Sequence, residues 1–231
     1  MGSTRLPGKV LEDLVGQPML ARVVNCTRRA QTLDEVVVAT TVQPVDDAIV
    51  SLCKERGWLF YRGSEEDVLD RYYHAASRFK ARAIVRITSD CPLIDPEIID
   101  KVVQEFWDSY PEIDYATNTL MRTFPVGLDV EVISYDALIK SWLEDDNPAW
   151  REHVTQYIVR HQEKFRCCNV ANDTDYSYMR WTVDMPEDLA FVRQIYEHFQ
   201  DDAFGWREVL ELLKVHPEWL EINRNIQQKR A

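Results

Sequence analysis

The chain has 231 residues, 45% of them hydrophobic, which is enough for one large α/β domain with an apolar core. Its 27 basic and 39 acidic residues give a net charge of −12, which argues against a nucleic-acid partner or an anionic membrane surface. The five cysteines show no CxxC pair and no zinc-type spacing, so they fit a reduced, cytoplasmic setting. No apolar run approaches the roughly 18 residues of a membrane span. Because the net charge is negative, binding of an anionic ligand requires a local cluster of basic residues.

Short β-branched runs alternate with segments of helical period along the whole chain, which predicts a largely parallel sheet with crossover helices. Strands are predicted at 35–40, 58–61, 83–88, 113–117, 130–134, 165–170 and 180–183. Helices are predicted near 18–30, 45–56, 66–80, 96–109, 135–144 and 149–162, with two or three more after 186. We predict one domain over residues 1–231, with a helical C-terminal part at 185–231.

The first nine residues, MGSTRLPGK, have the composition of a phosphate-binding loop but not the spacing of a Walker A loop. Five residues separate Gly2 from Gly8, and Val10 stands where that motif has Ser or Thr. The loop offers donors and cations suited to a polyphosphate: Gly2, Ser3, Thr4 and Gly8 as donors, Arg5 and Lys9 as cations. The alternative is a flexible tail with a turn at Pro7-Gly8.

Two aspartates follow predicted strands, where ligands bind in open α/β sheets. Asp90 lies in RITSDCPLIDPE, and Asp184 lies in RWTVDMPEDL, ahead of a helix. Mg²⁺ takes one or two carboxylates and completes its shell with water and phosphate oxygens, so both aspartates are candidate magnesium ligands. The alternatives are a turn residue for Asp90 and a helix N-cap for Asp184.

Further polar residues are candidates for substrate contacts. Asp129 and Glu131 alternate along a predicted strand, so we expect both to face one side, either toward a sugar or a metal or as the wet face of an edge strand. Arg122 lies in a predicted loop, and His153 lies beside an apolar helical stripe, where a lone histidine is more often structural.

Arg71, in YRGSEEDVLDRYYHAA, is a further candidate for nucleotide binding. It stands four residues after Asp67 on a predicted helix, so a surface ion pair would explain it without any function.

Several stretches occur in one order along the chain: MGSTRLPGKVL, VVVATT, YRGSEEDVLDRYYHAA, VRITSDCPLIDPEI, GLDVEV, REHVTQYI and RWTVDMPEDL. Together they resemble the cytidylyltransferases of the spore-coat polysaccharide type. Those proteins are relatives of the enzymes that make CMP-activated acidic sugars such as sialic, legionaminic and keto-deoxy-octulosonic acids.

The resemblance implies a three-layer α/β nucleotidyltransferase fold, Rossmann-like, with a mixed, mostly parallel sheet. It implies that Arg5 and Lys9 contact the triphosphate of CTP, and that Asp90 and Asp184 hold Mg²⁺. A sugar or sugar-acid hydroxyl would attack the α-phosphorus and pyrophosphate would leave. Four residues are the candidates for the acceptor pocket: Arg122, Asp129, Glu131 and His153. A homodimer is the assembly we consider.

The resemblance also places an apolar strand ending in Gln-Ala-Arg directly before the loop, and a glycine-rich phosphate loop normally follows such a strand. This sequence shows no such strand before its loop. We therefore expect a missing first strand and impaired activity of the chain as given.

Two other functions remain open at this point. One is a nucleotide-sugar glycosyltransferase that uses the Asp173-Thr174-Asp175 triplet. The other is a nucleotide-binding protein without catalytic activity.

Overall fold

The computed structural model describes residues 5–226, so Gly2, Ser3 and Thr4 of the predicted loop lie outside the described residues. The strands in this range are β1 (Val37–Thr41), β2 (Leu59–Gly63), β3 (Ala83–Arg86), β4 (Tyr115–Thr117), β5 (Glu131–Ser134) and β6 (Cys167–Asn169). The helices are α1 (Met19–Thr27), α2 (Asp47–Arg56), α3 (Val68–Phe79), α4 (Pro96–Ser109), α5 (Tyr135–Glu144), α6 (Pro148–Arg151), α7 (Gln156–Arg160), α8 (Pro186–Phe199) and α9 (Trp206–Val215). Short 3₁₀ turns cover Lys9–Leu11, Pro44–Asp46 and Pro217–Glu221. No helix in the described range is long and apolar enough to cross a membrane.

The strands form two hydrogen-bonded groups. β1 and β2 pair in parallel, and the second group has the order β3-β5-β4-β6. In that group β4 and β6 are parallel, whereas β5 runs antiparallel to both β3 and β4. The mixed sheet is thus confirmed, and the antiparallel β5 makes it less parallel than the sequence predicts.

Helices cover both faces of the β3-β5-β4-β6 sheet. Successive strand residues point to opposite faces, so neighbours in one strand pack in different cores. Ala116 and Val132 pack in a core with α1, α4, α8 and α9. Tyr115 and Ile133, next to them in the strands, pack in a second core with α3, α5 and α7. A third core joins α1 and α2 to β1 and β2. This is the three-layer arrangement predicted from the sequence.

A cavity of about 810 Å³ lies between β1 and β3, which share no ladder among the described residues. Apolar side chains from both helical layers line it, among them Val23 and Val24 of α1 and Tyr72 and Phe79 of α3. Polar residues that follow the two strands, including Thr88 and Ser89, also line it. The cavity therefore extends to the turn after β3, next to Asp90.

The helix predicted over 149–162 is divided in two. α6 ends at Arg151 and α7 begins at Gln156, and between them the buried Val154 has φ 59°. A β-branched residue rarely adopts this left-handed backbone, so tertiary contacts must hold it. Thr155 supplies one such contact, because its hydroxyl donates to the buried Glu131 at 2.6 Å.

The strand predicted over 180–183 is reduced to a single bridge between Val126 and Arg180. Gly127, with φ 109°, lies against this segment, and a Cβ there would lie 2.6 Å from the backbone nitrogen of Thr182. The close approach needs glycine, and it fixes the segment that leads to Asp184 without a continuous ladder.

Asp46 ties the carboxyl end of β1 to the turn that follows it. The Thr40 and Thr41 hydroxyls and the Thr41 amide all donate to its Oδ2, at 2.8, 2.6 and 3.0 Å. Burial raises the pKa of the Asp46 carboxyl, but its hydrogen bonds, those of Thr41 and Thr40 among them, outweigh it and lower the pKa to about 2.

We expect Asp46→Asn to lower the free energy of unfolding at pH 7 by about 2 kcal/mol. Because the native pKa is depressed, this stabilisation is complete above pH ~4 and is lost as the pH falls toward about 2. Urea denaturation of both proteins between pH 7 and pH 2.5 measures the effect. A difference in stability that stayed constant over that range would contradict the assignment.

Candidate nucleotide and metal site

Lys9 lies between the two aspartates that the sequence singles out. Its Nζ donates to Asp90 Oδ2 at 2.9 Å, to Asp184 Oδ1 at 2.9 Å and to the Val183 carbonyl at 2.7 Å. The Lys9 and Asp184 side chains are each only 11% exposed, and that of Asp90 is 27% exposed. The structure therefore brings together one loop cation and two carboxylates from positions far apart in the sequence.

Backbone contacts explain why these groups meet. Gly8 has φ 74° and starts the 3₁₀ turn Lys9–Leu11, which directs the Lys9 side chain inward. The Val183 amide donates to the Asp90 carbonyl at 2.8 Å, and the Thr182 hydroxyl donates to the same oxygen at 3.2 Å. The segment before α8 is thus bound to the turn after β3, which places the two carboxylates side by side.

The charges of this cluster stabilise one another. Burial lowers the pKa of the Lys9 ammonium, but the charges and hydrogen bonds of Asp90 and Asp184 outweigh it and hold that pKa above its ordinary value. Burial raises the pKa of the Asp184 carboxyl, whereas its hydrogen bond with Lys9 and the charge of Lys9 hold it below its usual range. The Lys9 ammonium and the Asp184 carboxylate therefore stabilise each other as a charged pair.

The N-cap reading of Asp184 is wrong. The N-cap of α8 is Met185, and the Asp184 side chain does not accept from the first turn of that helix in the contacts described. Instead Asp188 Oδ2 accepts from the amides of Asp184 and Met185, each at 3.0 Å. The Asp184 carboxylate can therefore face the loop.

Arg5 also contacts this cluster. Its Nη2 lies 3.0 Å from Asp184 Oδ1, and its side chain is 30% exposed. On the opposite side Arg180 Nη2 donates to Asp184 Oδ2 at 3.0 Å. Arg180 was not among the residues predicted from the sequence, and its spacing of four residues before Asp184 is no signal for a pair, because this segment is not helical.

The donor set fits a hard divalent cation. No group of three or more His, Cys, Asp or Glu suited to a metal occurs in residues 5–226. Two carboxylates are nevertheless what Mg²⁺ uses when phosphate oxygens and water fill its other positions. The Lys9 ammonium, hydrogen-bonded to both carboxylates, shows that the position between them accepts positive charge.

Arg71 lines the cavity between β1 and β3, as do Thr88 and Ser89. Its Nη1 donates to the Ser64 carbonyl, whereas its buried Nε lacks a hydrogen-bond partner in the described part of the chain. Burial lowers the pKa of this guanidinium. The predicted surface ion pair with Asp67 is not formed, because the Asp67 carboxylate caps α3 and pairs with Arg151 at 2.8 Å. Arg71 therefore lines the cavity and retains one buried donor without a partner among the described residues.

The acceptor-pocket candidates fall into two groups. Arg122 and Asp129 form a bidentate ion pair with each other, with Nη2 2.8 Å from Oδ2. Glu131 is buried and accepts from Tyr115 at 2.7 Å and from Arg86. The two carboxylates therefore have different partners, and Glu131 does not lie on an open face with Asp129 as the alternation predicts.

His153 is half-buried in the bend before Val154, and its neighbour Glu152 lines the cavity. The bend is held by Thr155, whose hydroxyl binds Glu131. Asp173 and Asp175 are exposed, and Asp175 accepts from the Ser177 amide at 2.8 Å in a local turn. This local turn accounts for the position of the Asp175 carboxylate without a bound metal. The structure therefore gives no geometric support to the glycosyltransferase hypothesis.

The chain is similar to known proteins over nearly its whole length. The family model described as cytidylyltransferase matches residues 1–229, and the chain belongs to this family. The spore coat polysaccharide biosynthesis protein SpsF of Bacillus subtilis is 33% identical over 226 residues, which cover 94% of this chain and 92% of that protein. A solved cytidylyltransferase structure from Leptospira borgpetersenii superposes with a TM-score of 0.92 at 32% identity, covering 100% of this chain and 95% of the other.

A third relative is similar over part of the chain. The 3-deoxy-manno-octulosonate cytidylyltransferase of Geobacter sulfurreducens is 41% identical over 103 residues, which cover 44% of this chain and 40% of that protein. The similarity to the spore-coat type and to the octulosonate enzymes confirms the resemblance inferred from the motifs. The α/β nucleotidyltransferase fold is confirmed by the same comparisons.

Proposed function

We propose that this protein transfers CMP from CTP to a hydroxyl of a sugar or sugar acid, with Mg²⁺ bound between Asp90 and Asp184, for the synthesis of surface polysaccharide. The observation that carries the proposal is the Lys9 ammonium bound to both carboxylates in a chain of the cytidylyltransferase family. When bound there, a divalent cation would neutralise charge on the phosphate oxygens of CTP. Residues of the chain itself bind and orient the triphosphate.

In this proposal Lys9 moves from the carboxylates to the triphosphate, because a lysine side chain is flexible and carries a compact charge. Arg5, which is 30% exposed beside Asp184, contacts a second phosphate group. Arg71 offers its unpaired buried Nε to the nucleotide from the cavity side. These cations hold the triphosphate in line with the attacking hydroxyl, so catalysis rests on position and charge rather than on a covalent intermediate.

The acceptor is proposed from the relatives. The names of SpsF and of the Geobacter enzyme connect those proteins to polysaccharide biosynthesis and to a sugar acid. Arg122, with its partner Asp129, and His153 remain the proposed acceptor contacts. Glu131 supports this pocket indirectly, since it anchors the bend after His153 through Thr155. A cytoplasmic location and a homodimer belong to the same proposal, and light scattering tests the second.

Release of pyrophosphate tests the reaction. The purified protein is incubated with Mg²⁺, one nucleoside triphosphate at a time and a panel of acidic sugars. We expect pyrophosphate only with CTP and an acidic sugar. Transfer from a nucleotide-sugar without pyrophosphate would favour a glycosyltransferase instead. Calorimetric binding of CTP with no turnover would favour the non-catalytic alternative.

Lys9→Met tests the two proposed roles of this lysine, which are to bind a phosphate of CTP and to occupy the metal position when nucleotide is absent. We expect weaker binding of CTP, because one phosphate contact is lost, and tighter binding of Mn²⁺ in the absence of nucleotide, because the ammonium no longer competes for the carboxylates. Calorimetry with CTP and electron paramagnetic resonance of free Mn²⁺ measure the two effects. Unchanged Mn²⁺ binding would show that Lys9 and the metal do not share a position.

We propose in addition that the cavity between β1 and β3 receives an apolar strand and that full activity requires it. The cavity supports this because both bordering strands have an unpaired edge among the described residues, and helices cover it from both layers. A strand buried on both faces is a continuous apolar run, which agrees with the strand that the resemblance places before the loop.

A further inference from the structure

Three buried residues form a connected group behind Asp184. Asp188 is 0% exposed and Asn223 is 4% exposed, while the Arg180 side chain is 8% exposed. None of them was predicted as a site residue from the sequence. We call this set, Arg180 with Asp188 and Asn223, the Asp188 network.

Arg180 joins the network to the metal-site candidate. Its Nε donates to Asp188 Oδ1 at 2.8 Å, and its Nη2 donates to Asp188 Oδ2 at 3.0 Å. The same Nη2 donates to Asp184 Oδ2 at 3.0 Å. One guanidinium therefore binds both carboxylates, which fixes the orientation of the Asp184 carboxylate relative to that of Asp188.

Asn223 holds the network from the C-terminal segment. Its Nδ2 donates to the Arg180 carbonyl at 2.9 Å and to Asp188 Oδ1 at 3.0 Å. Asp188 in turn accepts from the backbone amides of Asp184 and Met185 with its other oxygen. Both oxygens of this fully buried carboxylate are thus fixed, one by the C-terminal segment and one by the backbone next to Asp184.

The two oxygens of Asp184 consequently have different environments. Oδ2 accepts from Arg180, whereas Oδ1 lies 2.9 Å from Lys9 Nζ and 3.0 Å from Arg5 Nη2. The Lys9 ammonium is the group that also reaches Asp90. The oxygen directed toward the second carboxylate is therefore Oδ1.

We propose that the Asp188 network positions Asp184 so that its Oδ1 is presented to the metal, and that Asn223 couples the C-terminal segment to this task. The proposal deepens the proposed function and rests on it, because it concerns the carboxylate assigned to Mg²⁺. Asp188 also balances the charge of Arg180. Without that charge the hydrogen bonds of Arg180 shift toward Asp184, and the arginine competes with the metal for this carboxylate.

The test uses Mn²⁺ as the probe and does not depend on turnover alone. Free Mn²⁺ is measured by electron paramagnetic resonance for wild type, Asp188→Asn, Asn223→Ala and Asp184→Asn. We expect Asp188→Asn to weaken Mn²⁺ binding about tenfold, as is usual for groups that orient a metal ligand. Asn223→Ala should weaken it severalfold, and Asp184→Asn should weaken it most. Asp202→Asn is the matched control, because it breaks a part-buried pair with Arg22 at 2.8 Å outside this cluster.

Kinetics distinguish positioning from a loss of folding. For a positioning role, the Mn²⁺ concentration that gives half of the maximal rate of pyrophosphate release rises in both network variants, and the rate recovers at saturating Mn²⁺. A misfolded variant would not recover, so melting curves are recorded as well. If Asp188→Asn does not fold, Asn223→Ala alone decides the question.

The outcomes separate the two proposals. Wild-type Mn²⁺ binding in Asp188→Asn and Asn223→Ala, with weakened binding in Asp184→Asn, would overturn the network and leave the metal site in place. Wild-type binding in Asp184→Asn would overturn both, since Asp184 would then not be a metal ligand to position. An equal loss of binding in the Asp202→Asn control would also overturn the network, because the effect would then be general.

Discussion

Asp90→Ala is expected to lower the rate of pyrophosphate release from CTP by a factor of about 10²–10³, the loss typical when a group that stabilises transition-state charge is removed. Asp90 is one of two carboxylates that reach the position of the Lys9 ammonium, so its removal leaves a single ligand for the cation. A steady-state pyrophosphate assay with CTP and an acidic sugar measures the loss.

For the same experiment at Asp184, the substitution must keep the shape of the side chain. Arg5, Lys9 and Arg180 all contact the Asp184 carboxylate, so alanine would leave these cations without it and would lower stability as well as activity. Asp184→Asn keeps the shape of the side chain and should lose turnover to a similar degree. Asp175→Ala is the control, since Asp175 is exposed and lies in a local turn. Full activity of Asp90→Ala, or a comparable loss in Asp175→Ala, would contradict the metal assignment.

A chain with a segment of about seven β-branched apolar residues fused before Met1 is expected to melt at a higher temperature than the 231-residue chain. The strand would gain hydrogen bonds on both sides and would bury side chains against α1 and α3. After the entropy cost of ordering, a net gain of about 3 kcal/mol is a reasonable expectation, which corresponds to roughly 6–12 °C at this size.

The matched control for the fused strand carries a Gly/Ser segment of the same length, which has no apolar side chains to bury. Turnover of CTP should rise together with the melting temperature if the strand helps to fix the loop that carries Lys9. An unchanged melting temperature with the apolar segment would contradict a structural role for the cavity.

Local signals were sufficient for much of the fold. The predicted bounds of α4 and α5 coincide with the observed ones, because Asp95 accepts from the first amides of α4 and Ser134 accepts from the Ala137 amide in α5. Such caps act over three residues and can be read from the sequence. The break between α6 and α7 could not be read in this way, since Val154 keeps its left-handed backbone next to the Thr155 contact with Glu131, 24 residues away in sequence.

Part of the candidate site could likewise be predicted from the sequence, and part of it could not. Asp90 and Asp184 were predicted from their place after predicted strands, and the structure places both against Lys9. Asp129 and Glu131 were expected on one face, but β5 begins only at Glu131, so the period of two does not extend back to Asp129. The Asp188 network could not be anticipated, because it depends on how the C-terminal segment folds back over α8.

The most direct test of the central claim is detection of the product. The protein is incubated with CTP, Mg²⁺ and an acidic sugar, and the mixture is analysed by mass spectrometry alongside the pyrophosphate assay. The account predicts one CMP-sugar for each pyrophosphate released, and neither product with Asp90→Ala. Pyrophosphate without a CMP-sugar, or a CMP-sugar formed equally well by Asp90→Ala, would contradict it.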